Sequence, residues 1–239
     1  MKKILYLVLF AFLLTGCGSK NEDKLVMVTE AGFAPYEFYE NNKIVGVDVE
    51  IAKEIASAMG KELEIKDITF SSIINELKSG KGDMALAGMS ITEERKKSVD
   101  FSIEYAKSRQ VIVVQQNSNI KSPKDINDKK VVVQLGTVAD LELTDNYKTV
   151  TVVRQKKFLA AAEDVKAGKA DCIVMDYLPA VELVKENKSL KILDEELFTD
   201  SYAIAVKKGN KELLKEINKV LQRLIDEGKI NEFTIKYSK

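Results

Sequence analysis

Short apolar runs alternate with amphipathic segments along the first half of the chain. Between residues 51 and 59 the apolar positions recur at a spacing of four, which is typical of a helix with one buried face. Gly60 follows as a stop signal. The pattern indicates a β-α-β-α-β unit. Its predicted elements are strands at 25–29, 63–65 and 84–87 and helices at 47–59 and 71–79.

The second half of the chain repeats the first. Each repeated set describes a helix, a glycine stop, a lysine, an aspartate turn and a buried strand. One such match could arise by chance in a lysine-rich chain, but five at one offset within equivalent predicted elements indicate an internal duplication. Phe70, Lys78, Gly80, Lys81 and Asp83 recur 88 positions later as Phe158, Lys166, Gly168, Lys169 and Asp171. The preceding elements are predicted as a strand at 130–134, a helix at 138–144 and a strand at 149–153.

Three apolar segments lie outside the repeated units. Residues 111–115 and 202–206 predict strands, and 213–225 predict an amphipathic helix that ends at Gly228. Because so apolar a helix must cover a sheet, we expect the end of the chain to cross back to the first unit. Two crossings form a hinge. We therefore predict an α/β fold of two doubly wound lobes joined by a two-crossing hinge, with a cleft between the lobes.

Composition excludes several classes of function. The 37 basic and 37 acidic residues cancel, and no long block of one sign occurs, so we expect no nucleic-acid partner. The chain contains no histidine, which removes Ser-His-Asp and Cys-His catalysis together with the commonest transition-metal ligand. We therefore predict no metal site and no cofactor, and an enzyme of this sequence would depend on carboxylates, lysine or tyrosine.

The first seventeen residues resemble a lipoprotein leader. Two lysines precede an apolar stretch at 4–14 that is too short to span a bilayer permanently, and the tetrapeptide LTGC at 14–17 resembles the bacterial lipobox. This resemblance implies cleavage before Cys17 and a lipid anchor on its sulfur, at the extracytoplasmic face of the cell membrane. An ordinary signal peptide with a chance cysteine is the alternative. The other cysteine, Cys172, lies in an apolar run, and we expect it to be a buried free thiol.

The stretch DMALAGMSITEER, residues 83–95, has the order strand, loop and helix start at which α/β folds bind ligands. Gly88 permits a close backbone approach, and Thr92 resembles an N-cap. Arg95 would then lie in the first turn of a helix, where its charge opposes the macrodipole unless it holds an anion. A small carboxylate is the simplest such anion. The alternative is that Arg95 is solvated, like its neighbours Lys96 and Lys97.

Together these segments resemble the type II periplasmic solute-binding proteins that deliver polar amino acids to ABC importers, family 3. The resemblance covers nearly everything after residue 24. It implies the type II periplasmic-binding-protein fold, a free amino acid as ligand, an ABC importer permease as partner and a monomeric state. The motifs that carry it are TEAGFAPYE at 29–37, GVDVEI at 46–51, AGMSITEER at 87–95, LGT at 135–137 and MD at 175–176.

The resemblance also implies roles for individual residues. Arg95 would bind the ligand α-carboxylate, with help from backbone N–H groups near Ser90, Thr137 and Val138. A second hydroxyl residue is common in the family where this chain has Val138, so only the backbone contact is expected there. Asp176 would face the α-ammonium, together with the Gly88 carbonyl and the Ser90 hydroxyl. The alternative for Asp176 is a turn or cap aspartate.

Glu30, Phe33 and Met89 are the candidates for reading the ligand side chain. An acidic residue beside an aromatic face suits a cation, although Phe33 could instead be a core residue that anchors its loop. The sequence Ala87-Gly88-Met89 at the strand end resembles the arginine- and lysine-preferring members of the family. We therefore expect a basic amino acid, arginine or lysine, with glutamine, histidine and cystine left open.

Two other functions are compatible with the same scaffold. A dehydratase-like cleft enzyme would need a spare carboxylic acid, and Asp176 is better explained as a counter-ion to ammonium. A ligand-sensing accessory protein would signal through a separate membrane partner. For the solute-binding protein, the predicted segments are a signal peptide at 1–16, a lipidated linker at 17–23, lobe 1 at 24–108 with 202–239, and lobe 2 at 109–201.

Overall fold

The computed structural model describes residues 23–238. Cys17 and the rest of the predicted leader lie outside the described residues. The strands are β1 Lys24–Thr29, β2 Phe38–Glu40, β3 Lys43–Val45, β4 Glu62–Asp67, β5 Met84–Ala85, β6 Val99–Gln115, β7 Lys130–Gln134, β8 Thr151–Gln155, β9 Cys172–Asp176 and β10 Leu190–Lys207. The helices are α1 Val47–Ala58, α2 Ile73–Lys78, α3 Glu93–Lys96, α4 Val138–Asn146, α5 Phe158–Lys166, α6 Tyr177–Glu186, α7 Lys211–Asp226 and α8 Lys229–Tyr237. Short 3₁₀ helices lie at Phe70–Ser72 and Pro123–Ile126.

One eight-stranded sheet runs through the molecule in the order β4-β1-β5-β10-β6-β9-β7-β8. The outer strands are parallel on each side, β4-β1-β5 in the first lobe and β9-β7-β8 in the second. The two central strands, β10 and β6, are antiparallel to each other and to their outer neighbours. The predicted α/β class with two doubly wound lobes and two crossings is therefore confirmed.

The two crossings are single long strands. β6 has 17 residues and β10 has 18, whereas the sequence pattern predicted strands only at 111–115 and 202–206. The reason is that the middle of each strand is polar and only partly buried, so that the apolar signal survives at one end alone. At this polar middle, Ser108 of β6 is the register partner of Asp200 of β10.

The sheet is covered on both faces, as a doubly wound lobe requires. Met27 and Val28, adjacent in β1, pack in different hydrophobic clusters because successive strand side chains point to opposite faces. The predicted amphipathic helix is α7. Its buried face, which includes Ile217 and Leu221, packs in the same cluster as Ile51 and Ile55 of α1. The return of the chain end to the first lobe is thus confirmed.

The internal repeat has the same hydrogen bonds in both lobes. Asp83 accepts a hydrogen bond from the backbone N–H of Val26 at 2.9 Å, and Asp171 accepts one from that of Lys130 at 2.8 Å. Both aspartates therefore tie the turn before an inner strand, β5 or β9, to the neighbouring parallel strand. The aspartates were matched by sequence spacing alone, and the structure confirms that they are equivalent.

Other elements differ from the sequence pattern. The hairpin β2-β3 and helices α6 and α8 were not predicted, because their apolar positions are few or interrupted by polar residues. The strand predicted at 84–87 is shorter, Met84–Ala85.

Cys172 is a buried free thiol, as predicted, and burial raises its pKa to about 12. Among the helices of residues 23–238, none is both long and apolar enough to cross a membrane.

Candidate functional site

A narrow cavity lies between the lobes, where strands β1, β5, β7 and β9 end. About 10 Å³ of its interior is accessible to water, which is room for about one molecule. An amino acid can enter this cavity only when the lobes move apart. The lining residues are Glu30, Phe33, Glu37, Phe70, Ala87, Gly88, Ser90, Gln134, Thr137, Val138 and Asp176.

Most of the side chains proposed from the sequence meet at this cavity. Arg95 and Met89 are the two that do not line it. The first lobe supplies its candidates from the segments after β1 and β5, and the second from the segment after β7 and from the last residue of β9. The candidates that line the cavity are Glu30, Phe33, Gly88, Ser90, Thr137, Val138 and Asp176.

Asp176 is held at the end of β9 by three donors. The hydroxyls of Ser108 and Tyr202 and the amide of Gln110 all donate to its Oδ1, at 2.7 Å from Ser108 and 2.8 Å from Gln110. The Oδ2 atom takes part in none of these three bonds. Burial, followed by repulsion from Asp200, raises the pKa of Asp176 to about 6. The three donors are neutral groups, so none of these bonds balances the negative charge of the carboxylate.

Asp200, a partly buried carboxylate, was not predicted. It lies in the polar middle of β10, where its Oδ2 accepts a hydrogen bond from the Ser90 hydroxyl and its Oδ1 one from Gln110 at 3.4 Å. Burial raises the pKa of Asp200, although these hydrogen bonds act in the opposite direction. In the sequence, Asp200 is marked by the polar stretch that separates the apolar ends of β10.

Arg95 lies in α3 and is 5% exposed. The Thr92 side chain caps the helix by accepting a hydrogen bond from the Arg95 N–H at 3.1 Å, as predicted. The guanidinium donates to the Ser90 carbonyl in its own lobe and, at 2.9 Å, to the Gly136 carbonyl in the other. Burial lowers the pKa of Arg95 to about 10, with Asp200 and Asp176 acting in the opposite direction, so the side chain is charged at neutral pH. Arg95 thus joins the lobes at one edge of the cavity.

Met89 does not face the cavity. Its side chain is buried in the hydrophobic cluster that includes Val28, Phe70 and Ile73. The chain turns at Gly88, whose φ is +51°, so that Gly88 and Ser90 line the cavity while the side chain between them packs into the core. The side chain of Met89 therefore packs in the core of the first lobe in this structure, and a contact of Met89 with the ligand stays a prediction.

Gly88 is required by its backbone conformation and by its neighbour. Its φ of +51° lies in the left-handed region, and a Cβ atom there would come within 2.5 Å of the Phe33 ring. The Gly88 N–H donates to Asp48 Oδ2 at 3.0 Å, and the Tyr105 hydroxyl donates to the same oxygen at 2.9 Å. Burial and the nearby Asp48 raise the pKa of Glu37 well above its ordinary range. Glu37 also lines the cavity, where its burial favours the protonated form.

Thr137 and Val138 begin helix α4 at the opposite wall. The Thr137 hydroxyl caps the helix by accepting from the Asp140 N–H at 3.3 Å, and it donates to the Gln134 carbonyl at 2.8 Å. Val138 is the first residue of the helix, where the backbone N–H has no acceptor within the helix. Its amide is therefore a donor available to an anion, as expected from the sequence.

Glu30 is 3% exposed and is contacted from the opposite lobe through both of its carboxylate oxygens. Gln134 Nε2 lies 3.1 Å from Oε2, and Lys157 Nζ lies 3.1 Å from Oε1. Beside it, the ring of Phe33 stacks on that of Phe158 with centroids 5.8 Å apart. Gln134, Phe70 and Lys157 were not proposed from the sequence, because only the folded lobes bring them to Glu30 and Phe33.

The cavity has the groups to hold a zwitterion, because each lobe contributes a carboxylate, Glu30 or Asp176, and the N-terminus of α4 and the buried Arg95 lie beside them. Within residues 23–238, no group of three or more His, Cys, Asp or Glu side chains is placed to hold a metal ion. The arrangement is complementary in charge to a small molecule that has at least one cationic group and one anionic group.

Comparison with known proteins agrees with this geometry. The chain is 36% identical over 252 residues to the arginine-binding extracellular protein ArtP of Bacillus subtilis (strain 168), an alignment covering 99% of this chain and 98% of that protein. A mutant of ArgBP from T. maritima matches with a TM-score of 0.86 and 42% identity, over 90% of this chain and 95% of that one. The amino acid ABC transporter substrate-binding protein AbpA from Streptococcus pneumoniae, bound to L-arginine, matches with a TM-score of 0.85 and 32% identity, over 90% and 94%.

These likenesses confirm the periplasmic-binding-protein fold expected from the sequence motifs. Over residues 25–239 the sequence also matches the family description of bacterial extracellular solute-binding proteins, family 3. With nearly the whole chain covered by that family and by its curated relatives, the protein belongs to the bacterial extracellular solute-binding proteins of family 3.

Proposed function

We propose that the protein binds one free amino acid, arginine in the first place, in the interlobe cavity and delivers it to an ABC importer. The observation that carries this proposal is the presence of two buried carboxylates, Glu30 and Asp176, in the lining of one cavity. Arginine has two cationic groups, the α-ammonium and the guanidinium, separated by its aliphatic side chain. Each group would neutralise one of these buried acids. The named relatives that bind arginine support the same assignment.

The α-amino-acid end of the ligand would lie between Asp176 and Arg95. Asp176 Oδ2 would accept from the α-ammonium. Two N–H groups of Arg95 already bind the Ser90 and Gly136 carbonyls, and a guanidinium has five N–H donors, so others are available for the α-carboxylate. The Val138 N–H would complete the anion site. Each charge-assisted hydrogen bond of this kind contributes about 1.5 to 3 kcal/mol.

The side-chain end would lie against Phe33, with Glu30 as the counter-ion. A guanidinium placed on an aromatic face gains about 0.5 to 2 kcal/mol from the ring. Glutamine is the second candidate ligand, and one observation favours it: Glu30 is already paired with Lys157 across the cleft. A neutral amide side chain would not need to displace that lysine.

Binding would be coupled to closure of the lobes about the two long strands. We propose lobe 1 at 24–108 with 202–239 and lobe 2 at 109–201. The two proposed boundaries lie almost opposite each other in the β6–β10 ladder, where Lys107 pairs with Ser201. Bending at this level would separate the lobes without breaking either parallel half of the sheet. Scattering should show a smaller radius of gyration when ligand is added, and an unchanged radius despite measurable binding would contradict closure.

We propose a binding role without catalysis, because three donors hold Asp176 in place as the counter-ion of the ligand ammonium. The bound amino acid should be recovered chemically unchanged after prolonged incubation.

We also propose that Cys17 carries the lipid that keeps the protein at the membrane, as a monomer. Mass spectrometry of protein from its native membrane should find a diacylated N-terminal cysteine, and an unmodified chain that keeps residues 1–16 would contradict it.

A thermal-shift panel with all twenty amino acids tests the proposed ligand. Because a ligand that binds only the folded state stabilises it by mass action, arginine at 100 times its Kd should contribute about 2.7 kcal/mol. Arginine should give the largest shift, followed by lysine. A panel in which no amino acid shifts the transition of protein freed from co-purified ligand would refute the proposal.

A further inference from the structure

Lys157 bridges the cleft at the point where the proposed ligand side chain would be read. It immediately precedes α5 in the second lobe, and its ammonium lies 3.1 Å from Oε1 of Glu30 in the first. The exposures of the two side chains differ greatly, at 51% for Lys157 and 3% for Glu30. The half-exposed Lys157 ammonium therefore neutralises a Glu30 carboxylate that has almost no contact with water.

Gln134 fixes the geometry of this pair. Its amide nitrogen donates to Oε2 of Glu30 at 3.1 Å and to the backbone carbonyl of Lys156 at 2.9 Å. The same amide group thus links Glu30 to the backbone that carries Lys157. Both carboxylate oxygens therefore lie 3.1 Å from a nitrogen of the opposite lobe: Oε2 accepts the hydrogen bond from Gln134, whereas Oε1 forms an ion pair with Lys157 without hydrogen-bond geometry. A guanidinium recognises a carboxylate best through two parallel N–H···O bonds, which require both oxygens.

We propose that Lys157 is a specificity-determining residue, whose ammonium competes with the basic side chain of the ligand for Glu30. The inference rests on the proposed function, in which Glu30 reads that side chain. An arginine or lysine ligand must displace the Lys157 ammonium into water before it can pair with Glu30. A neutral side chain such as that of glutamine needs no such exchange. Lys157 therefore reduces the margin by which the site prefers arginine over glutamine.

The effect differs from a general electrostatic field. A lysine anywhere near the cleft would disfavour a cationic ligand slightly, and salt would screen that effect. Lys157 competes through one atom pair with a buried partner, so its removal should change the affinity for cationic side chains far more than that of a neighbouring lysine. Lys156 provides the comparison, because it is adjacent in the chain and carries the same charge.

The test is calorimetric titration of arginine and glutamine into three proteins freed of co-purified ligand: wild type, Lys157→Met and Lys156→Met. Methionine keeps most of the length of the stem and removes the charge. We expect Lys157→Met to bind arginine about tenfold more tightly, the equivalent of one weak charge-assisted hydrogen bond. Its affinity for glutamine should stay within about twofold, and Lys156→Met should change neither.

Each outcome has a distinct meaning. If wild type binds arginine and Lys157→Met binds it equally or more weakly, Lys157 does not compete for Glu30, and the proposed function stands without this inference. If Lys156→Met gives the same gain, the effect is a general field and the inference is wrong. If neither wild type nor Lys157→Met binds arginine, the proposed ligand and this inference fail together, whereas binding that appears only in Lys157→Met supports the competition.

A ligand-free measurement tests the same contact independently. The pair between Glu30 and Lys157 joins the lobes, so its removal should favour the open form before any ligand is added. Small-angle scattering of ligand-free Lys157→Met should give a larger radius of gyration than wild type, with Lys156→Met unchanged. A radius equal to that of wild type would show that the contact does not hold the lobes together, and would overturn its role in competition.

Discussion

Replacing Asp176 with asparagine should make the ligand-free protein more stable at neutral pH. In the folded state burial and Asp200 raise the pKa of Asp176 from 3.8 to about 6. That difference corresponds to about 3 kcal/mol of unfavourable free energy when the carboxylate is ionised. The substituted amide would carry no charge, and Gln110, whose Oε1 has no hydrogen-bond partner, could turn its own amide to accept from the new NH₂ group. For a chain of this size the gain corresponds to a melting temperature higher by about 6 to 12 °C.

The pH dependence identifies the cause. Because the folded pKa is raised, stability from this group is fully present below pH 3.8 and is lost as the pH rises through about 6. The advantage of Asp176→Asn over wild type should therefore shrink from about 3 kcal/mol at pH 7.5 to about 1 kcal/mol at pH 4.5. Urea unfolding at the two pH values measures it, with Asp194→Asn, at an exposed position in β10, as the control. A variant less stable than wild type at pH 7.5, or a difference independent of pH, would refute this reasoning.

The remaining predictions concern binding and backbone strain. Arg95→Met should weaken arginine binding at least 100-fold, because the ligand carboxylate would be buried without its cation, whereas Lys96→Met should have no effect. Titration calorimetry measures both, and equal losses would remove the anion site as described. Gly88→Ala should lower the free energy of unfolding by about 2 to 3 kcal/mol, since it adds a clash with Phe33 to the cost of a positive φ. The matched change Gly168→Ala, at φ +69° with open space around it, should cost only about 1 kcal/mol, and equal costs would show that the clash is relieved. The carboxylate that destabilises the free protein should also make arginine binding depend on pH. Binding of an ammonium requires Asp176 to be ionised, so affinity for arginine should be constant above pH 7 and fall by up to about tenfold for each pH unit below 6. Calorimetry from pH 4.5 to 8 measures this dependence, and in Asp176→Asn the remaining binding should be weaker at all pH values and should lose most of the slope.

The fold could be predicted because its information is local and repeated. The apolar runs that form β1 and β7 are bounded by turn residues, and the duplicated glycine and aspartate mark the same turn in each lobe. The crossing strands could be predicted only in part, because their polar middle residues, Ser108 and Asp200, have no hydrophobic signature. Their place in the sheet is decided by pairing with each other across nearly 100 residues of chain.

Much of the candidate site was also accessible from the sequence. Asp176 ends one inner strand and Gly88 follows the other, and the carboxyl ends of such strands meet at the cleft. Met89 belongs to the same motif, but its side chain is buried in the core, because a motif names consecutive residues whereas the turn at Gly88 sends their side chains to different sides. Gln134 and Lys157 were missed for a different reason. Their roles depend on how closely the two lobes approach each other, and a local sequence pattern gives no information about that distance.

The most direct test of the central claim is calorimetric titration of L-arginine into refolded wild-type protein that has been freed of bound ligand. The proposed site predicts one arginine per chain with a Kd at or below the micromolar range, which corresponds to about −8 kcal/mol or stronger. Saturable binding of glutamine, histidine or cystine without any binding of arginine would contradict the assignment of Glu30 to a basic side chain. The absence of a saturable heat with every amino acid would contradict the site itself.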